Sequence, residues 1–308
     1  MITSPSSSVL PSRLAIAVAF FCIYVIWGST YLAILFAIET LPPFLMAGVR
    51  FLLAGTLIYA WSRFVGGTAR PTAAQWRATG VVGVLMLLGG NGLVVWSEQR
   101  IPSGVAALLV GTVPCFMVLL DWLRPGGTPP SGRVVVGLAL GLFGLFWLVG
   151  PDAVMGGGRV EWVGAVAVVL ASLSWAMGSI YSRHGELPSS PFLSTAMQML
   201  AGGAALLVVA VALGEPAELD LAHVSLRSAL GFLYLLVFGS LVAFSAYVWL
   251  LRVSTPARVS TYAYVNPVVA VLLGWAFAEE ALTLRMLIAA AVIVSGVALI
   301  TLSPKQVK

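Results

Sequence analysis

The chain has 308 residues, 60% of them hydrophobic and only 9% charged, with a formal net charge of +5. Soluble domains carry about 25% charged residues and could not hide this much apolar surface, so composition excludes a soluble globular protein and points to a polytopic helical membrane protein. The basic excess is no sign of nucleic-acid binding, because no run of Lys or Arg occurs. Basic side chains of membrane proteins collect on cytoplasmic loops.

In chain order, a polar tail of 13 residues with one basic residue, Arg13, precedes a long apolar run without a small-residue cleavage site. A retained first helix is expected, not a removed signal peptide. Ten apolar spans follow, near 14–37, 44–65, 77–96, 103–122, 133–150, 160–181, 192–213, 228–251, 257–278 and 284–302. Each is close to the ~20 residues that cross a bilayer. Turn signals separate them, among them Pro42-Pro43, Gly66-Gly67, Pro125-Gly126-Gly127 and Pro188. With the amino terminus inside, eleven Lys and Arg fall inside, four fall outside, and Arg50 lies within a span. This bias predicts that both termini are cytoplasmic.

The spans repeat. Trp96 to Trp122 aligns without gaps on Trp249 to Trp275 at an offset of 153 residues, matching Trp96 with Trp249, Pro114 with Pro267 and Trp122 with Trp275. Gly28-Ser29-Thr30-Tyr31 in span one is echoed by Gly178-Ser179-Ile180-Tyr181 in span six, and Arg133 with Gly144 by Arg285 with Gly296. Five spans separate the copies. Five is odd, so the copies run in opposite directions through the membrane, as an inverted repeat does. The expected fold is all-α integral membrane: ten transmembrane helices as two inverted five-helix repeats around a central cavity. The first repeat is expected at 14–150 and the second at 151–302, with tails at 1–13 and 303–308. Two inverted halves that exchange shapes would give alternating access. Duplication that merely builds a stable bundle is the competing reading.

Several residues stand out. Pro114 and Pro267 sit near the middle of their spans, where each frees a backbone carbonyl, of Val110 or Ala263, and bends the helix. The bend either shapes a solute path or serves packing. Arg50 is the one charge well inside a span; it either snorkels to the headgroups or acts as a cavity cation for a carboxylate. Its counterpart in the second repeat is Gln198. Asn91, within Gly89-Gly90-Asn91-Gly92, stands a turn before Trp96. Tyr24, Trp27, Gly28 and Tyr31 share one face of span one; Trp175, Gly178, Ser179 and Ser182 share the matching face of span six. In span nine Tyr262 and Asn266 stand four residues apart. Tyr24, Trp27, Ser29, Arg50, Asn91, Trp96, Trp175, Ser179, Gln198, Tyr262 and Asn266 are therefore the expected cavity residues, with Pro114 and Pro267 as kink or gate. Small residues that only pack, or tryptophans that anchor at the interface, are the plainer reading of each.

All eleven acids lie in loops or at span ends, including Glu98, Glu215, Glu279 and Glu280. Proton and sodium sites normally need a buried carboxylate, so facilitated exchange without one is expected, with Glu98 and Glu279 the first places to look for an exception. No nucleotide, dinucleotide or metalloprotease motif occurs, and Cys22 and Cys115 lie singly in apolar spans. No catalytic residues, metal or cofactor are expected, and no enzyme activity. The pair Gly137 and Gly141 fits packing within one chain or between two, so a monomer or weak homodimer is expected.

Trp27-Gly28-Ser29, Arg50-Phe51, the span-four stretch ending in Pro114, Asn266-Pro267-Val268, and Glu279-Glu280 before Leu282-Thr283 with Gly296 after them carry a resemblance. The chain resembles the drug/metabolite transporter superfamily, specifically its ten-helix EamA carriers, over residues 14–302. One departure is the loop Arg124-Pro125-Gly126-Gly127, where the family often has a Glu. The resemblance implies export or exchange of small metabolites across a bacterial inner membrane. The pattern is also similar to the YddG type of amino-acid exporter, which implies aromatic and other amino acids as substrates. Arg50 would then hold the carboxylate, freed carbonyls the ammonium and aromatics the side chain. Efflux of lipophilic cations, which favours a buried Glu, is the second reading; a scaffold or membrane enzyme is the third. The expected partners are a small-molecule substrate and the lipid bilayer, with no nucleic acid.

Overall fold

The computed structural model describes residues 12–101, 106, 109–149, 161–277 and 283–303, all of whose regular structure is helical. Helix α1 (Arg13–Ile38) begins where the Ser12 side chain accepts the Ala15 N–H, and α2 (Pro43–Phe64) begins on a proline that needs no partner for its nitrogen. Helix α3 (Ala73–Ser97) opens on a Thr72–Gln75 capping box and turns π-helical over Val84–Gly92. After α4 (Val113–Leu123), α5 (Gly132–Val149), α6 (Trp162–His184) and α7 (Pro191–Ala212) comes α8 (Leu226–Val253). It too turns π-helical, over Leu235–Phe244. The chain closes with the single turn Pro256–Val259, then α9 (Tyr262–Phe277) and α10 (Leu284–Leu302).

By length and composition, α1, α2, α3, α6, α7 and α8 can each cross a bilayer; α4, α5 and α10 are shorter apolar helices. Two expected spans are interrupted. In span four a turn at Gly111 and Thr112 precedes α4. Pro114 is therefore not a mid-helix kink: it sits in the first turn of α4, where its missing N–H costs nothing. Pro267 does lie inside α9. The turn at Ser260 and Thr261 is at a different place in the repeat, so the two halves have diverged here.

Helix pairing follows the repeat. Helix α1 packs on α9 as α6 packs on α4, and α6 packs on α3 as α1 packs on α8. The pairs α2–α7 and α5–α10 are each their own counterpart. Adding five to every label maps this pattern onto itself, which is the pseudo-two-fold of an inverted repeat. Small residues let the self-paired helices touch. A Cβ on Gly203 would lie 2.9 Å from the Leu52 nitrogen, and one on Gly137 would lie 2.8 Å from the Gly296 carbonyl. Gly137 is thus used within the chain, against α10. Across the repeats, the buried Glu215 carboxylate accepts N–H groups of Phe44 (3.2 Å) and Leu45 (2.6 Å), capping α2 with an acid from the other half.

Candidate substrate cavity

The ends of α1 and α10 at Arg13 and Leu302 define a terminal face; the opposite face is called distal. A cavity lies between the halves, lined by α1, α2, α3, α6, α8, α9 and the segment ahead of α4. It holds about 100 Å³ of free space inside an envelope of about 750 Å³ that includes its mouth. Its residues from α1 (Trp27, Thr30, Tyr31, Ile34), α2 (Arg50) and α3 (Gly90, Asn91, Val94) run from mid-membrane toward the distal ends of those helices.

One wall is polar. Arg50 is 3% exposed, its Nη2 donates to Asn91 Oδ1 at 2.8 Å, and its guanidinium stands 4.3 Å from the Phe51 ring centre. Its Nε has no hydrogen-bond partner. Arg50 therefore does not snorkel: it is a buried cation facing the cavity with a donor to spare. The floor is aromatic. Trp27 contacts Trp175 (5.7 Å between ring centres), Tyr247 (5.1 Å) and Tyr262 (4.9 Å), largely edge-on or tilted. Such contacts hold flat rings against each other without filling the space above them.

Both π-helical stretches reach the cavity, through Gly90 and Asn91 of α3 and through Gly239, Ser240 and Phe244 of α8. An inserted residue leaves carbonyls off the regular ladder. Side chains meet two of them: Trp27 Nε1 donates to the Gly239 carbonyl at 3.3 Å, and Ser174 Oγ donates to the Leu85 carbonyl at 2.7 Å. With its amide oriented to suit its neighbours, Asn266 Nδ2 donates to the carbonyls of Tyr24 (3.2 Å) and Tyr262 (2.9 Å).

Toward the terminal face the floor is sealed. Tyr24 and Thr261 hydroxyls are 2.6 Å apart. The fully buried Tyr247 hydroxyl accepts from Trp175 Nε1 at 2.9 Å and lies 2.7 Å from Ser179 Oγ. Beyond the seal a second cavity, of about 330 Å³, opens among Arg183, Arg252, Arg258 and Asp121. Its guanidiniums are committed to backbone carbonyls: Arg252 to Pro188 and Ser189, Arg258 to Ser303, and Arg183 to Leu251 and Ser254.

Of the residues expected at a cavity, the structure gathers Trp27, Arg50, Asn91, Trp175, Tyr262 and Asn266 around one space. Tyr24 and Ser179 lie in the seal instead. Ser29 bonds the Tyr234 hydroxyl at 2.6 Å and joins α1 to α8. Trp96 lies under the Arg100 guanidinium, 3.7 Å from its ring centre. Gln198 is fully buried and receives no cavity exposure; its Nε2 donates to Ser194 Oγ at 3.1 Å. The contribution of α8 was missed altogether. Its only sequence signal is Gly239-Ser240, at nearly the repeat offset from Gly89-Gly90.

Glu98 ends α3 as expected, but it is only 7% exposed, and neither carboxylate oxygen has a hydrogen-bond partner. Just past the last helical residue, burial pushes its carboxyl up to about 8.

An all-helical bundle of two inverted halves around a polar–aromatic cavity, sealed at one end, is the architecture of a membrane carrier. Residues 14–150 and 162–302 each match the EamA-like transporter family, and the chain belongs to that family. It is 40% identical over 288 residues to the uncharacterized inner membrane transporter YedA of Escherichia coli K12, covering 92% of this chain and 90% of that one. It is 28% identical to the protein PecM of Dickeya dadantii (89% and 88% covered). A crystal structure at 22% identity superposes with a TM-score of 0.75 over 96% of this chain and 100% of that one, which shows the shared fold. The protein is a secondary transporter of small molecules in a membrane, not an enzyme.

Proposed function

We propose that this carrier exports or exchanges small zwitterionic metabolites, amino acids including aromatic ones, across a bacterial inner membrane by alternating access. The observation that carries the reading is Arg50: a buried cation with an unpartnered Nε, held by Asn91 above an aromatic floor. A solute carboxylate would satisfy the guanidinium, a charge-assisted bond stronger than a neutral one. An apolar or aromatic side chain would lie toward Trp27, Trp175 and Tyr262. The free space of about 100 Å³ admits a small amino acid directly, while an aromatic one requires Trp27 or Trp175 to turn aside. Arg50 at the wall speaks against lipophilic cations. The amino terminus and carboxyl terminus are placed in the cytoplasm on the distribution of Lys and Arg, so the distal mouth faces the outside and the basic cavity at Arg183, Arg252 and Arg258 faces in. Two inverted halves supply the second state: opening the tyrosine seal while the distal mouth closes delivers the solute to the other side.

The test is counterflow in sealed proteoliposomes preloaded with a mixture of amino acids, with trace labelled amino acids outside. Saturable uptake that competes with unlabelled amino acids is expected. Folded protein in sealed vesicles that exchanges none of the twenty overturns the amino-acid reading.

A further inference from the structure

The acids of this chain are not equivalent. Among the described residues, Asp121 pairs with Arg124, Glu161 with Arg100, Glu39 with Arg227 and Asp220 with His223. Glu215 caps α2, and Glu186 and Glu218 are exposed. Glu98 alone is buried with both oxygens unpartnered.

Its place in the fold ties it to the cavity. Glu98 follows Val94 by four residues and Asn91 by seven at the end of α3, and both of those residues line the cavity. Val95, the neighbouring buried residue, packs among Ala33, Ile34 and Ala37 of α1, Met46 of α2 and Leu235 of α8. Toward the distal ends of the described elements around Glu98, the ionisable groups are Tyr31 and Glu39 of α1, Arg50 of α2, Arg100 just past α3, Glu161 just ahead of α6, and Arg227 and Tyr234 of α8. Those near the distal end are engaged or neutral except Arg50, whose Nε is unpartnered but which forms no ion pair with Glu98 among the described residues. Arg50 holds Asn91, Arg100 pairs with Glu161, Arg227 pairs with Glu39, and Tyr234 bonds Ser29. Tyr31, a cavity residue, lies within electrostatic reach of Glu98. Among the described residues the Glu98 carboxyl has no hydrogen-bond donor and no ion-pair partner, so the ionised acid is the costly form and the protonated acid is the form this site accepts.

We propose that Glu98 is a proton-binding site of the carrier, loaded in the conformation seen here and unloaded when the end of α3 becomes wetted, so that the transport cycle is coupled to a proton. The proposal rests on the reading of the neighbouring cavity as the solute site. Loading forms one O–H bond on the carboxylate with a proton taken from water; unloading breaks that bond and returns the proton to water. The sign follows from linkage. The conformer that buries Glu98 binds more protons than one that wets it, so it is favoured as pH falls from about 8 toward the ordinary carboxylate range, and nothing further changes above about 8. The proposal departs from the expectation of exchange without a buried carboxylate, whose ground was that no acid sits in the middle of a span, and takes Glu98 as the exception.

Three measurements on the full-length protein test it. In nanodiscs, infrared difference spectra between pH 6 and 10 are expected to show a protonated-carboxyl band that disappears with rising pH, is missing in Glu98→Gln and persists, shifted, in Glu98→Asp. Spin labels at the exposed distal positions Trp162 and Leu226 are expected to report a change in conformer ratio of roughly fivefold or more between pH 6 and 9 in the parent protein and Glu98→Asp, and none in Glu98→Gln. In vesicles with the mixed amino acids, an imposed pH gradient is expected to drive uphill accumulation through the parent protein and not through Glu98→Gln. No carboxyl band in the parent at pH 6, or a conformer ratio indifferent to pH, overturns the proposal; so does amino-acid exchange that ignores the gradient. A band and a pH-dependent conformer ratio with no movement of any amino acid leave the proton site standing and refute the amino-acid reading instead.

Discussion

The two ends of the central space are built from the same duplicated helices and yet differ in kind. At the distal end, α1, α2 and α3 surround an open cavity with the Arg50–Asn91 pair and, just above it, a lone acid; Arg50 Nε and both Glu98 oxygens have no partner among the described residues. At the terminal end, Tyr24 with Thr261 and Tyr247 with Trp175 and Ser179 close every hydroxyl and indole nitrogen on a partner. If the cavity is the solute site, the difference teaches where such a carrier keeps its polarity: unsatisfied groups along the open cavity, mutually satisfied groups where the path is shut. On the alternating-access reading, the second state undoes the seal's few hydrogen bonds while the distal mouth closes.

Breaking the open end is expected to have the largest effect. Arg50→Ala removes the cavity cation and its hydrogen bond to Asn91; at about 2–3 kcal/mol for charged hydrogen bonds, counterflow of amino acids should fall roughly 30- to 150-fold. Arg50→Lys should recover only part, because a point charge cannot serve Asn91 and a solute carboxylate with one planar fork. Equal loss for neutral and carboxylate-bearing solutes would show that the guanidinium is only structural.

Weakening the closed end comes next. Tyr247→Phe deletes the bonds to Trp175 and Ser179, about 1–2 kcal/mol in all, and should raise the population of conformers open at the terminal face roughly 5- to 30-fold. Distances between spin labels at exposed Leu14 and Leu123 measure it. An unchanged distribution would mean that the tyrosine fills space and does not latch.

The smallest effect sharpens the comparison by sparing both ends. Glu215→Gln weakens the cap on α2 and should lower thermal stability by about 1 kcal/mol in detergent, with no shift between open and closed conformers. A conformational shift would place the α2 cap in the gating movement.

Much of this was legible in the residues. Ten apolar runs, the odd offset between copies and the gathering of Trp27, Arg50, Asn91, Trp175, Tyr262 and Asn266 all follow from local rules: span length, helical periodicity and the scarcity of charge in lipid. Pro114 was misplaced because a proline in an apolar run bends a helix or begins one, and only the neighbouring turn at Gly111 and Thr112 decides which. The π-helical stretches were invisible because they require carbonyls to find partners such as Trp27 and Ser174 on other helices.

The sequence by itself determined the class of protein, the count of its spans and their inverted duplication, since these depend on how each segment meets water and lipid. Only the tertiary structure decided that Gln198 is walled in while its counterpart Arg50 lines a cavity, that the Tyr247 hydroxyl ties Trp175 to Ser179, and that Glu98 is buried. Burial is a property of what lies across the gap: around Val95, one turn before Glu98, the packed residues come from α1, α2 and α8, distant along the chain and brought together only when the halves close on each other.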